Sequence, residues 1–157
     1  ALVYFAFITA LVVITFIDID HQIIPDLITI PGIPASFLAS FALPSITYSE
    51  SLLGMLAGSG SLLLVGWFYY LIKKTEGMGG GDIKLMAMIG AIVGWKGVIF
   101  TIFVSSLVGS LVGITIMLRT KNGMKIAVPF GPFLSIGAIA HIFFGPSLIS
   151  WYFNLLR

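Results

Sequence analysis

The chain contains no cysteine and little charge, with 8 Lys or Arg and 6 Asp or Glu among its 157 residues. Without a thiol it can build no disulfide framework, no thiolate metal site and no cysteine nucleophile. The net charge of +2 is scattered over loops and forms no basic stripe for a phosphate backbone, which excludes nucleic acid as a partner. Polar side chains are scarce as well. With 59% hydrophobic residues and a mean hydropathy of +1.13, the sequence cannot cover the surface of a water-soluble domain, and its expected partner is the lipid bilayer.

What is abundant is long apolar runs, and a helix needs roughly 20 apolar residues to cross about 30 Å of hydrocarbon. An all-α polytopic membrane protein of about six transmembrane helices is predicted, at about residues 2–17, 23–43, 51–72, 82–94, 97–118 and 130–144, forming one membrane-embedded domain over 1–157. Pro25, Pro31, Gly32 and Pro34 predict a kinked or partly unwound first half of the second span. Gly145-Pro146 predicts the end of the last, leaving a short interfacial C-terminal segment, 147–157. Small residues four apart, in Gly54-xxx-Gly58, Gly90-xxx-Gly94 and Ser105-xxx-Gly109-xxx-Gly113, predict seams where helix backbones approach closely.

Short cytoplasmic loops retain Lys and Arg. If the first span ends in the cytoplasm, Lys73, Lys74, Lys84, Arg119, Lys121 and Lys125 fall inside, and only Lys96 and Arg157 fall outside. The same choice gathers Asp18, Asp20, Asp26, Glu76 and Asp82 at the cytoplasmic face and leaves Glu50 opposite. Ionisable groups in or near spans are costly and mark function. Asp18 closes the first helix and Asp82 opens the fourth, so two acids remote in sequence can face each other across a watery notch. Such a pair shares a proton. One carboxylate can deprotonate a water as it attacks a peptide carbonyl while the other protonates the carbonyl oxygen, with neither metal nor covalent intermediate. Helix-end fields favour Asp18 as the initial acid and Asp82 as the base.

The run Gly77-Met78-Gly79-Gly80-Gly81 lacks the Lys-Ser/Thr ending of a phosphate loop and places Asp82 where phosphate would sit, so it reads as a bend or a slot for an extended substrate. Asp20 is the less favoured acid, because two residues along a helix turn it about 160° away from the face of Asp18. His21 and Asp26 read as polar residues at a helix end, and no metal or other cofactor is expected. Lys84 reads either as a snorkelling lysine or as a partner for a carboxylate. His141, alone in an apolar span, reads as hydrogen-bonded packing.

Three segments together, Asp18-Ile19-Asp20-His21-Gln22-Ile23-Ile24-Pro25-Asp26, Gly79-Gly80-Gly81-Asp82-Ile83-Lys84 and Pro129-Phe130-Gly131-Pro132-Phe133, closely resemble the type IV prepilin peptidase family, a prepilin leader peptidase family of the GxGD intramembrane aspartic protease type. The resemblance covers nearly the whole chain. It implies a bacterial inner-membrane aspartic endopeptidase that removes the short basic leader from prepilins or pseudopilins, the precursors used in type IV pili and type II secretion, at the cytoplasmic face. It places the two catalytic residues on Asp18 and Asp82, with Gly79, Gly80, Gly81, Pro25 and Lys84 supporting the loop and the approach of substrate. Many members carry a cytoplasmic N-terminal region with paired Cys motifs, associated with N-methyl transfer. This sequence has no such region and no Cys, so methyl transfer is not expected of it. Competing readings are a proton- or cation-coupled carrier, whose acids belong near the bilayer midplane, and a non-catalytic assembly protein, which needs neither Asp.

Overall fold

The computed structural model describes residues 1–74, 79–119 and 128–155, and these form five helices with no strand among them. They are α1 (Leu2–His21), α2 (Asp26–Ser40), α3 (Tyr48–Lys73), α4 (Gly80–Arg119) and α5 (Gly131–Leu155). Among the described residues four segments are long and apolar enough to cross a membrane: Leu2–His21, Tyr48–Lys73, Gly80–Arg119 and Gly131–Leu148. Asp26–Ser40 is a shorter apolar helix, so by length the count is four, where six spans were expected.

The difference lies in α2 and α4. The expected fourth and fifth spans are the two helical arms of α4, which meet at the expected boundary, Gly94, where φ 68° and ψ 177° are non-helical, a conformation that suits glycine because it has no Cβ to clash. Beyond the bend the chain runs back. Along the second arm Gly97 meets His141, Thr101 meets Gly137, and Gly109 meets Phe130 and Phe133, an antiparallel register with α5. The first arm, residues 80–93, spans about 21 Å by helical rise, less than the roughly 30 Å hydrocarbon thickness.

The break expected at Pro146 is not seen, since Pro146 lies inside α5, which continues to Leu155; of the expected second span, residues 23–25 are non-helical, and Pro31 and Pro34 lie inside α2. Each proline removes one backbone hydrogen bond, yet its φ is already close to helical, so in a membrane the helix can continue through it. Of the charged residues given a side, Glu76, Lys121 and Lys125, expected at the cytoplasmic face, and Arg157, expected opposite, are not among the described residues.

In lipid, burying a leucine gains no transfer free energy, so the helices are held by close packing and interhelical hydrogen bonds. The α3–α4 seam shows both. Gly54 and Gly90 lie against each other's backbone, leaving no room for a Cβ at either position, and Ser51 Oγ donates to Ala91 O at 2.7 Å. Ser105 Oγ donates to Phe133 O at 2.9 Å across α4 and α5. Gly113 of the third small-residue series faces open space and joins no seam. The core, with Leu11, Ile14, Leu85, Met86, Ile89 and Leu134 fully buried, joins α1, α4 and α5. α4 is the central element and packs on α2, α3 and α5, whereas α1 rests on α5 and α2.

Candidate active site

At one end of the bundle α1 stops, and α2, α4 and α5 begin. Gln22 caps α1 in the left-handed conformation, φ 53°, and its N–H donates to Asp18 O at 2.8 Å. Ile23, Ile24 and Pro25 then carry the chain to α2, where the Pro25 carbonyl accepts from Ile28 N and Thr29 N. This end holds a cavity of about 550 Å³ lined by Asp18, Ile23, Ile24, Gly81, Asp82 and Phe130, among others.

Asp18 is buried, with 4% of its surface exposed. It is nevertheless satisfied, because Gly131 N–H, at the start of α5, donates to Asp18 Oδ2 at 3.0 Å. Helix N-termini leave N–H groups free. Here a carboxylate from another helix takes one of them, 113 residues away in sequence. Gly131 is required by the closeness of this contact, since a Cβ there would lie 2.5 Å from Asp18 Oδ2. Asp82, in the first turn of α4, lies near enough to feel the charge of Asp18, and its buried Oδ1 has no hydrogen-bond partner among the described residues.

Ile24 is the apolar piece of the site. A Cβ on Gly81 would lie 2.7 Å from Ile24 Cβ, and one on Gly131 would lie 3.2 Å from Ile24 Cδ1. The side chain is therefore wedged between the starts of α4 and α5, beside both acids. The other site residues expected from sequence separate into two groups. Gly79 and Gly81 line the cavity, whereas Pro25 is the N-cap of α2 and lies outside the lining. Gly80 is exposed with nothing within 4 Å of a Cβ, and Asp20 and His21 are exposed outside the cavity lining. Gly77 and Met78 lie outside the described residues.

Lys84 also lies outside the lining and is ion-paired with Asp26. Among the described residues no group of three or more His, Asp or Glu is arranged to hold a metal ion. Sequence reasoning missed Gly131 and Ile24. Gly131 had a signal in Gly-Pro opening an apolar helix, but nothing local in Ile23-Ile24 distinguishes the wedge from an ordinary apolar residue.

Fold and site together define a polytopic membrane protein in which two carboxylates, from the end of one helix and the start of another, line one cavity. Sequence comparison agrees with that class. The profile of the Type IV leader peptidase family matches residues 5–114, and the chain belongs to this family. Relatives named prepilin leader peptidase/N-methyltransferase include one from Aeromonas hydrophila, 34% identical over 90% of this chain and 49% of its own length. The protein of that name from Pseudomonas aeruginosa is 38% identical over 90% of this chain and 49% of its own length, and that from Pseudomonas putida is 33% identical over 99% and 54%. The chain thus spans about half the length of the curated relatives it matches. No solved structure matches it.

Proposed function

We propose that this chain is an aspartic endopeptidase of the bacterial inner membrane that cleaves the leader of prepilins or pseudopilins at the cytoplasmic face, through one water activated by Asp18 and Asp82. The observation that carries the reading is the convergence of these two acids, remote in sequence, on a single cavity. Family membership supports the substrate class. Lys73, Lys74, Lys84 and Arg119 lie toward the same end of the helices as the acids, and by the positive-inside bias this is the cytoplasmic end. Basic leader residues are attracted to the acidic end of the bundle by charge.

The ionised carboxylate takes a proton from water as the water oxygen bonds to the scissile carbonyl carbon. The other, protonated carboxyl gives its proton to the carbonyl oxygen. Collapse of the resulting diol breaks the C–N bond: the proton held by the first carboxylate passes to the leaving nitrogen, and one diol hydroxyl gives its proton to the second carboxylate, which restores the starting state of the pair. Helix-end fields alone favoured Asp18 as the acid. The hydrogen bonding favours the reverse: Asp18 Oδ2 accepts an N–H, an arrangement that suits a carboxylate, while Asp82 Oδ1 is buried and unpartnered among the described residues, which suits a neutral acid. A hydrogen bond to a charged group contributes about 1.5–3 kcal/mol, against about 0.3–1 kcal/mol for a helix-end field, so the hydrogen bond decides. We therefore assign Asp18 as the base and Asp82 as the acid. Infrared difference spectra of the Asp18→Asn and Asp82→Asn variants test the division, since the protonated carbonyl band should vanish with Asp82→Asn alone.

The function itself is tested by co-expression with a prepilin and a gel-shift assay for leader removal. Wild type should cleave. Asp18→Asn and Asp82→Asn should each insert normally and lose at least about 10²-fold in cleavage rate. Normal processing by both variants would refute the dyad and leave the assembly-protein reading standing. A carrier is disfavoured because the acids gather at one end of the helices.

A further inference from the structure

The two acids are held by helices that share the buried core but whose backbones, among the described residues, do not come close. α1, which carries Asp18, has its close backbone approaches to α5 and α2, while α4, which carries Asp82, has them to α2, α3 and α5. The spacing of the dyad is therefore set in part through intermediaries. One is α5, through the Gly131 N–H on Asp18. The other is the short connector from α1 to α2, and its far end is fastened to α4 by charge: Lys84 Nζ donates to both Asp26 oxygens, at 2.7 and 2.8 Å. Asp26 opens α2, and Lys84 lies two residues beyond Asp82, about 200° around the helix, so it faces away from the cavity. Lys84 is thus occupied by Asp26, and the pair encloses the segment in which Ile24 is wedged between Gly81 and Gly131.

We propose that Asp26 and Lys84 are a positioning pair for the cleavage reaction, an electrostatic clamp that fixes the start of α4, and so Asp82, relative to the end of α1 and Asp18. The inference rests on the peptidase reading for its kinetic consequence but not for its geometric one. Both side chains are partly exposed, 38% for Lys84 and 56% for Asp26, so the clamp adds little to global stability. Its effect is on alignment, where a small displacement of a reacting group has a large kinetic cost.

The test uses the full chain reconstituted in vesicles with a prepilin. Lys84→Gln and Asp26→Asn should each lower kcat by about tenfold with KM shifted by less than about twofold, and the charge swap Asp26→Lys with Lys84→Asp should recover most of the loss. A second readout needs no catalysis. Because the chain has no native cysteine, nitroxides can be attached cleanly at His21→Cys and Gly80→Cys, both exposed positions at the facing ends of α1 and α4. The distance distribution between them should be narrow in the otherwise unchanged chain and in the swap, and broadened in each single variant.

Unchanged kcat and an unchanged distribution in both single variants would overturn the clamp. So would a rise in KM on Asp26→Asn alone, which would make Asp26 a direct contact for basic leader residues. If the wild-type chain leaves every prepilin intact while the single variants still broaden the distribution, the peptidase reading fails and the clamp stands.

Discussion

The two ends of the helix bundle carry similar residue types and use them differently. At the far end, roughly 20 Å from Asp18 by the rise of α1, a smaller cavity of about 170 Å³ is lined by Tyr4, Glu50, Lys96, Trp95 and His141, among others. There the charged groups are occupied locally. Glu50 accepts the Thr47 N–H at 3.1 Å and so caps its own helix, and the Lys96 ammonium lies 5.5 Å from the centre of the Trp95 ring. His141 packs beside Phe100 and against Gly97 and Gly145, with no hydrogen-bond partner for its Nδ1 among the described residues, so its packing lacks the hydrogen bond expected there. At the dyad end Asp18 is held by a distant backbone N–H and Asp82 Oδ1 is unpartnered among the described residues. A charged residue whose local helix satisfies it serves the fold, whereas one held across helices with bonding capacity to spare is available for chemistry.

Substitutions at the two ends put that contrast at risk. Beyond the loss of either Asp, the largest effect is expected at Gly131. A methyl group placed 2.5 Å from Asp18 Oδ2 must displace the carboxylate. Gly131→Ala should reduce the cleavage rate by at least about tenfold while membrane fractionation shows normal insertion. An unchanged rate would mean that Asp18 does not depend on the start of α5. Gly81→Val comes next. It presses on Ile24 at its Cβ, which the backbone holds in place, and not on an acid, and should cost about three- to tenfold in rate in the same assay. Equal rates for Gly81→Val and wild type would make the glycine segment a passive linker.

The smallest catalytic effect is expected at the far end. Glu50→Ala removes one capping hydrogen bond and should destabilise the chain by about 1 kcal/mol in thermal or denaturant unfolding, with cleavage within about twofold of wild type. A large catalytic loss on Glu50→Ala with stability preserved would show that the far end takes part in the reaction and would erase the distinction between the ends.

Much of this was legible before any coordinates. Apolar runs marked the helices, four-residue glycine spacings marked the α3–α4 seam, and Asp18 and Asp82 stood out because carboxylates at the ends of apolar helices are costly. Not every glycine or proline acts alike. Gly145-Pro146 was read as the end of a helix, yet α5 continues through Pro146. Gly94, read both as a span end and as part of a packing seam, is where the chain reverses and where α4 meets Gly54. Local propensity gives each such residue a cost, and neighbouring helices determine whether the backbone bears it.

The sequence by itself determined that this is a helical membrane protein with acids gathered toward one end, because hydropathy and charge act residue by residue and need no partner. Only the tertiary structure decided which acids meet, which backbone N–H holds Asp18, and that Lys84 is bound to Asp26 and directed away from the cavity. Those are distances between helices that are far apart along the chain, set by whether two backbones can pass at a glycine. No local pattern encodes such a distance.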